Sequence, residues 1–256
     1  MSDLVSIIMP SYNTENFIDE AINSVLNQTH KNWELIIVDD ASTDSTDKVV
    51  EKFLNDRRIH YIKNKENYGA AISRNFAIKQ AKGKWIAFLD SDDIWMPQKL
   101  ERQINFMIKN KYSFSYANYI EIDEESEATG KMISGPNKIT KTGMYNYCWP
   151  GCLTVMYNAE KIGTVQIPDI KKNNDYAMWL KIIEKENCYL LNEVLAKYRK
   201  RSGSISNKSY FKLIKWHYIL FRNILNKNVI ESFVLTFRNI IFGIYKKIFF
   251  VKKFDG

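Results

Sequence analysis

The sequence predicts an α/β fold: a doubly wound, mainly parallel sheet flanked by helices, followed by C-terminal amphipathic helices. Three observations carry that prediction. Short β-rich apolar runs recur at residues 4–9, 33–39, 59–63 and 85–89, the near-continuous pattern of strands buried on both faces. Between the first two, Phe17, Ile18, Ala21, Ile22, Val25 and Leu26 recur at helical spacing, and between the second and third so do Val49, Val50, Phe53 and Leu54. From about Lys208 the pattern changes to long helices with two apolar stripes. Phe211, Ile214, Tyr218, Phe221 and Leu225 form the first, and Ile230, Phe233, Phe237, Ile241, Ile244 and Ile248 the second.

The later elements follow in order. Residues 97–110 read as a helix and 114–122 as a strand, while the polar, acidic, Gly-containing stretch 123–142 reads as a loop. A strand resumes over 152–157 and a helix over 175–186. The chain shows no internal repeat or low-complexity tract, and divides into a sheet-forming part, 1–206, and a tail, 207–256.

With 256 residues, 45% of them hydrophobic, the chain can bury one large core. Its net charge of +8 is unevenly spread. Ten of the 37 basic residues but two of the 29 acidic ones, Glu231 and Asp255, lie from Asn207 onward, so the preceding part carries 27 of each sign. Basic helices with an aromatic face read as a membrane-surface element, attracted to anionic lipid. Packing of the same helices on the sheet domain is the alternative, and nucleic acid is not expected because no recognised nucleic-acid motif accompanies the charge. Cys148, Cys152 and Cys188 lie far in sequence from His30, His60 and His217, so reduced cytoplasmic thiols are expected rather than disulfides or zinc. The N-terminal segment lacks the basic start and cleavage site of a secretory signal. Arg238, Lys246 and Lys247 break the tail's apolar runs short of the roughly 18–20 residues of a spanning helix.

Ligands of such sheets bind beyond the C-terminal ends of the strands. The second strand ends in VDDASTD, placing Asp39 and Asp40 at the crevice, where a carboxylate can accept from a uracil N3–H and ribose hydroxyls; Ser42 and Asp44 suit capping of the next helix. The fourth ends in FLDSDDIWMP. Asp90, Asp92 and Asp93 there are costly without a cation, and hard oxygen ligands suit Mg²⁺ or Mn²⁺ bridging the phosphates of a nucleotide; a capped acidic turn is the alternative. Arg74, in NYGAAISRN, can pair with a diphosphate through its fork of donors or form a surface ion pair. A lone Gly69 does not make a dinucleotide fingerprint.

VSIIMPSYN, ELIIVDDASTD, NYGAAISRN, FLDSDD and NNDYAMWLKI occur in the order seen in family 2 glycosyltransferases of the GT-A fold, whose sheet is a Rossmann-like nucleotide-binding one. The chain resembles that family over residues 5–206. The resemblance implies an inverting transfer from a UDP-sugar, with Pro10, Tyr12 and Asp40 at the nucleobase and Asp90 and Asp92 at ribose and metal. It makes Asp175 the catalytic base, with Asn174 where the family usually has an acid. Capping of its own helix is the competing role for Asp175. Trp179 reads as a core residue or a sugar platform, and Arg199 and Arg201 as phosphate or acceptor contacts or solvated charges.

More narrowly, ANYIEID, NDYAMWLKI and SGSISNK resemble bacterial O-antigen and capsule β-1,3-glucosyl- or galactosyltransferases that extend N-acetylhexosamine-diphosphate-undecaprenol. Glucose or galactose transfer to a lipid-linked acceptor, at the inner face of the bacterial inner membrane, is the expectation. The rivals are a nucleotidyltransferase, which should carry a Gly-rich basic loop where this chain has PSYNTEN, and a non-catalytic membrane nucleotide-binding module. Oligomeric state is left open.

Overall fold

A computed structural model describes residues 3–201 and 210–254, the side chains of residues 210–213 excepted. The elements β1 (Val5–Ser11), α1 (Ile18–Leu26), β2 (Trp33–Asp39), α2 (Thr46–Glu51), β3 (Ile59–Lys63), α3 (Ala70–Gln80) and β4 (Trp85–Phe88) follow the predicted alternation. Strand β1 pairs in parallel with β2 and β4, and β2 with β3, so the spatial order is β3-β2-β1-β4. The winding therefore reverses beside β1, and a crevice opens outside the carboxyl ends of β1 and β4.

Every residue of β1 and β2 is buried, as continuous apolar runs require. Alternation then feeds two cores. Val5, Ile7 and Met9 share one with Ile18, Ala21, Ile22 and Val25 of α1, while Ile8, Ile36, Val38 and Phe88 share the other with Ala77 and Ile78 of α3.

The chain continues through β5 (Ile94–Trp95), α4 (Lys99–Asn110), β6 (Phe114–Ile122), β7 (Ala128–Ile133), β8 (Lys138–Ile139), α5 (Lys141–Asn146), β9 (Met156–Asn158), α6 (Ala159–Ile162), α7 (Asn174–Ile182) and β10 (Cys188–Arg199). Two expectations are corrected here. The stretch 123–142 is not all loop: it holds β7, a largely exposed strand whose polar sequence hid it, and β8. Within 152–157, Cys152–Thr154 form a 3₁₀ turn, and the strand starts at Met156. Strand β9 lies antiparallel between β4 and β6, and β10 runs parallel to β6, bringing Arg199 at its end beneath the residues that follow β4.

The expected break between residues 206 and 207 lies outside the described residues, but the C-terminal part is no detached tail. Helix α8 (Tyr210–Ile219) runs into a π-helical turn at Leu220–Ile224, and α9 (Val229–Phe249) ends in β11 (Val251–Lys253), which pairs antiparallel with β7. Leu220 and Phe221 are fully buried in the core of α7, and Lys246 Nζ donates to the Trp149 carbonyl at 2.8 Å. Asn228 and Glu231 form a reciprocal capping box at the start of α9. On the first predicted stripe Phe221 is buried and Ile214 is 39% exposed, while the Phe211 side chain lies outside the described residues. On the second, every residue is between 47% and 76% exposed. The face of α9 turned to the protein is instead polar, with Ser232, Thr236 and Asn239 buried, so the helix is amphipathic with its apolar side outward.

Candidate active site

The crevice at the strand ends deepens into a cavity of about 1310 Å³. Pro10, Tyr12, Asp40, Arg74, Asp90 and Asp92 line one wall. Asp175, Tyr147 and Cys152 line its middle, and His217, Asn239, Ile240 and Ile244 of the C-terminal helices line the opposite wall. Ligand pockets usually run to roughly 300–1,000 Å³, so this space suits two ligands side by side.

The loops carrying the first wall are tied together before any ligand arrives. Asn13 N–H donates to Ser42 Oγ at 2.9 Å, and Thr43 N–H to Asn13 Oδ1 at 2.9 Å. Asp44, one residue before the N-cap Ser45, accepts from Thr46 N–H at the start of α2 and from Glu15 N–H, joining the loop after β1 to the loop after β2. Asp40 is 3% exposed and accepts four hydrogen bonds: Oδ1 from Asn64 Nδ2, Tyr68 N–H and Ser73 Oγ, and Oδ2 from Gly69 N–H at 2.7 Å. Oδ1 carries three of these bonds and Oδ2 one, and Asp40 lines the cavity. Gly69 reaches its place with φ of 91°, a left-handed conformation that favours glycine, and so starts α3 with a bare N–H on Asp40. Tyr12, 45% exposed, presents a ring at the rim.

After β4 the carboxylates crowd. Asp90 pairs with Arg74 Nη2, whose Nη1 donates to Asn174 Oδ1 at 2.9 Å. Asp92 pairs with Arg201 at 2.8 Å, and Asp93 accepts from Arg199 N–H at 2.9 Å. Burial and then the Asp90 charge hold the Asp92 carboxyl above its ordinary value, and burial with both neighbours raises Asp93 well above it. Arg74 is nearly enclosed; burial opposes its charge, but Asp90 outweighs this and raises its pKa. No group of three acidic, His or Cys side chains is arranged as a closed cage among the described residues. One or two carboxylates, completed by substrate phosphates and water, is nevertheless how Mg²⁺ is usually held, and the mutual repulsion of these acids is what a divalent cation relieves. Asp90 and Asp92 thus fit such an ion.

Asp175 is the second residue of α7, and its Oδ1 accepts from Tyr176 N–H at 2.8 Å. Protein surrounds it while the cavity keeps it in touch with solvent. Burial raises its pKa, the Arg74 charge lowers it, and the balance leaves it above the ordinary carboxylate value. A carboxylate in this state holds a proton more firmly than an exposed one and is suited to act as a base. Beside it His217, whose pKa burial lowers to about 4, stays neutral and lies 3.3 Å from Asn173 Nδ2.

Three expected site residues do not reach the cavity. Asp39 is fully buried and turned aside, accepting from Ser42 N–H at 2.7 Å and Tyr61 Oη at 3.0 Å. Trp179 is core, packed against Phe88 and Phe114 with ring centroids 5.2 and 6.0 Å apart. Arg199 is 2% exposed, and its guanidinium is spent on the carbonyls of Asp92, Asp123 and Glu124, Ser126 Oγ and Glu20. Its fork staples the acidic loop rather than waiting for a phosphate. Sequence reading missed the whole wall supplied by α8 and α9. The signal was Ser232, Thr236, Asn239 and Gly243, small and polar at spacings of four, three and four inside an apolar helix.

Comparison with known proteins agrees with this architecture. Residues 6–186 match the profile described as Glycosyl transferase family 2. The chain is 45% identical over 212 residues, 82% of each protein, to the Escherichia coli UDP-Glc:alpha-D-GlcNAc-diphosphoundecaprenol beta-1,3-glucosyltransferase WfgD. It is 40% identical over 223 residues, 86% of this chain and 88% of the other, to the putative teichuronic acid biosynthesis glycosyltransferase TuaG of Bacillus subtilis. In fold it is similar to S. aureus TarS 1–349 in complex with UDP-GlcNAc, with a TM-score of 0.71 and 23% identity over 88% of this chain and 67% of that one.

Proposed function

We propose, since this chain belongs to glycosyl transferase family 2, that it transfers a hexose, glucose or galactose, from a UDP-sugar to a hydroxyl of an N-acetylhexosamine carried on undecaprenyl diphosphate, with inversion at the anomeric carbon. The observation that carries the reading is one cavity joining the strand-end carboxylates to Asp175 and to the C-terminal helices. The identity to WfgD, over most of both chains, supports the sugar and acceptor class. The nucleotidyltransferase and non-catalytic readings have no comparable support.

In this mechanism Asp40 Oδ2, the less engaged of its two oxygens, accepts from the nucleobase while Tyr12 and Pro10 flank it. Asp90 and Asp92 would hold Mn²⁺ or Mg²⁺, which supplies Lewis-acid neutralisation of the departing diphosphate. Arg74 and Arg201, each against one of those carboxylates and both lining the cavity, supply positive charge to the phosphate oxygens. Asp175 takes the proton of the acceptor hydroxyl as its oxygen attacks the anomeric carbon from the side opposite the diphosphate. General-base help of this kind is worth about 10²- to 10⁴-fold.

The acceptor's lipid calls for a membrane, and α9 supplies the contact. Its outward apolar stripe runs along 21 residues, about 31 Å of helix, flanked by Arg238, Lys247, Lys252 and Lys253. A helix apolar outward and edged with basic residues fits an anionic bilayer surface, lying in its plane. None of the described helices is long and apolar enough to cross a membrane. We place the protein at the inner face of the bacterial inner membrane, in O-antigen or capsule assembly. The test is purified protein with UDP-glucose or UDP-galactose, Mn²⁺ and synthetic N-acetylglucosaminyl-diphosphate lipid. A product one hexose heavier is expected, and neither product nor UDP release with any UDP-hexose overturns the reading.

A further inference from the structure

Asn239 stands in the middle of α9, 2% exposed, on the cavity wall opposite the nucleotide end. Its Nδ2 donates to Tyr176 Oη at 2.8 Å, and Tyr176 Oη in turn donates to the Met144 carbonyl at 2.7 Å. That relay fixes which way the amide faces. The tyrosine's proton is committed to Met144, so its oxygen needs a donor, and only the nitrogen end of the amide provides one. The carbonyl end, Oδ1, is left buried with no hydrogen-bond partner. Buried acceptors are usually paired, and this one belongs to a residue that lines the cavity, so the partner the protein does not supply is one a ligand can supply.

The surroundings describe that partner. Gly243 lies one turn further along the same face, and a Cβ there would come within 3.1 Å of the Tyr147 ring, so the helix and ring close around a slot. Ile240 and Ile244 continue the wall, and Ile244, 56% exposed, belongs also to the outward apolar stripe. Lys247 closes it on the same side as Ile240 and Ile244. Around the slot are Asp175, Asn173 and the neutral His217, so the pocket holds neutral hydrogen-bonding groups next to the base and turns apolar and basic toward the stripe. A sugar ring with an attached anionic, lipid-bearing group has this order of chemistry.

We propose that α9 forms the acceptor subsite and that Asn239 is a specificity-determining residue, its Oδ1 accepting a hydrogen bond from an N–H or O–H of the acceptor sugar. This rests on the glycosyl-transfer reading above and extends it to a residue outside the matched family region, 6–186. The group donating to Oδ1 is either the acetamido N–H or a ring hydroxyl, and acceptor analogues tell these apart.

Initial rates are measured with the full-length protein, UDP-hexose and three synthetic diphosphate-lipid acceptors: the N-acetylhexosamine, its 2-deoxy analogue and an analogue lacking one non-reacting ring hydroxyl. Asn239→Leu, close in shape but unable to accept, should raise the acceptor KM about 5- to 10-fold with UDP affinity unchanged. One analogue should show a similar penalty with the wild type and none with the variant, because the missing bond cannot be lost twice. Asn239→Ala, which removes atoms without adding any, is made alongside in case leucine disturbs the Tyr176 contact. If both variants keep the wild-type acceptor KM, or raise it while every analogue keeps its full penalty, the assignment is overturned and Asn239 is merely structural. A wild type that transfers no sugar and releases no UDP overturns the underlying reading and this inference with it, whereas wild-type transfer with indifferent variants overturns this inference alone.

Discussion

Along the sheet edge every carboxylate is already engaged: Asp40 accepts four hydrogen bonds, Asp90 faces Arg74, and Asp92 faces Arg201. Across the cavity the C-terminal wall is built the other way, with an unpartnered Asn239 Oδ1, a neutral His217 and bare apolar side chains at Ile240 and Ile244. The first wall stores charge in a rigid, cross-tied arrangement, which suits a ligand whose charge is always the same, such as a nucleoside diphosphate. The second holds little charge and few fixed contacts. Change there alters which sugar and lipid fit, while the nucleotide end keeps its own cross-ties.

The comparison is sharpened most by Asp175, which belongs to neither wall and faces both. Asp175→Asn keeps the shape and should lower turnover by about 10²-fold or more while UDP affinity stays within a few-fold. Turnover within a few-fold of the parent would move the proton to another group. Because burial raises the Asp175 pKa above 3.8, the wild-type rate should begin to fall on the acid side above pH 3.8, as the carboxylate takes up its proton, and a pH–rate profile checks this.

Asp92→Asn tests the charged wall. Loss of one charge-assisted contact, worth about 1.5–3 kcal/mol, should weaken Mn²⁺-dependent UDP binding by about 10- to 100-fold and reduce transfer with it. Thermal shift with UDP, with and without Mn²⁺, reads the effect, and an unchanged Mn²⁺-dependent shift counts against the assignment.

His217 tests the neutral wall. Its pKa, lowered from 6.5 to about 4, means that the unfolded chain binds the proton first as pH falls. The stability His217 lends is therefore whole above pH 6.5 and is lost as pH falls toward about 4, by on the order of 2–3 kcal/mol. Relative to His217→Phe, which cannot titrate, the wild type should lose stability in urea unfolding as pH falls from 6.5 toward 4; parallel curves would mean the ring is not buried neutral.

The smallest effect is expected at the outer face of α9. Phe237→Ser, at a position 65% exposed, should leave folding and transfer to a water-soluble acceptor unchanged but weaken binding to anionic vesicles by about tenfold. The remaining binding should fall with added salt, since charges are screened over about 8 Å at physiological ionic strength. Co-sedimentation equal to wild type would place the membrane contact elsewhere.

Much of this molecule was legible from one dimension. Continuous apolar runs gave β1, β2 and β4 their places because a parallel strand buried on both faces tolerates little else, whereas β3 proved to be a half-exposed edge strand; the acids after β2 and β4 were bound to emerge at one edge, since parallel strands end together. Helix periodicity gave α1, α4 and α9, and charge counting found the basic C-terminal stretch. What only the tertiary structure decided was direction and company. Neighbouring acids in VDD part ways: Asp39, the last residue of β2, turns to Ser42 and Tyr61, while Asp40, just past the strand, turns to the start of α3 and lines the cavity. Arg199 and Arg201 look alike in KYRKR, yet only the first ends beneath the acidic loop, where three carbonyls consume its fork. And α9 shows apolar side chains at one spacing and small polar ones at another, a pattern that is symmetric in sequence. Which stripe faces the protein depends on what stands opposite, and here a buried tyrosine hydroxyl and a ring that needs a glycine draw in the polar one.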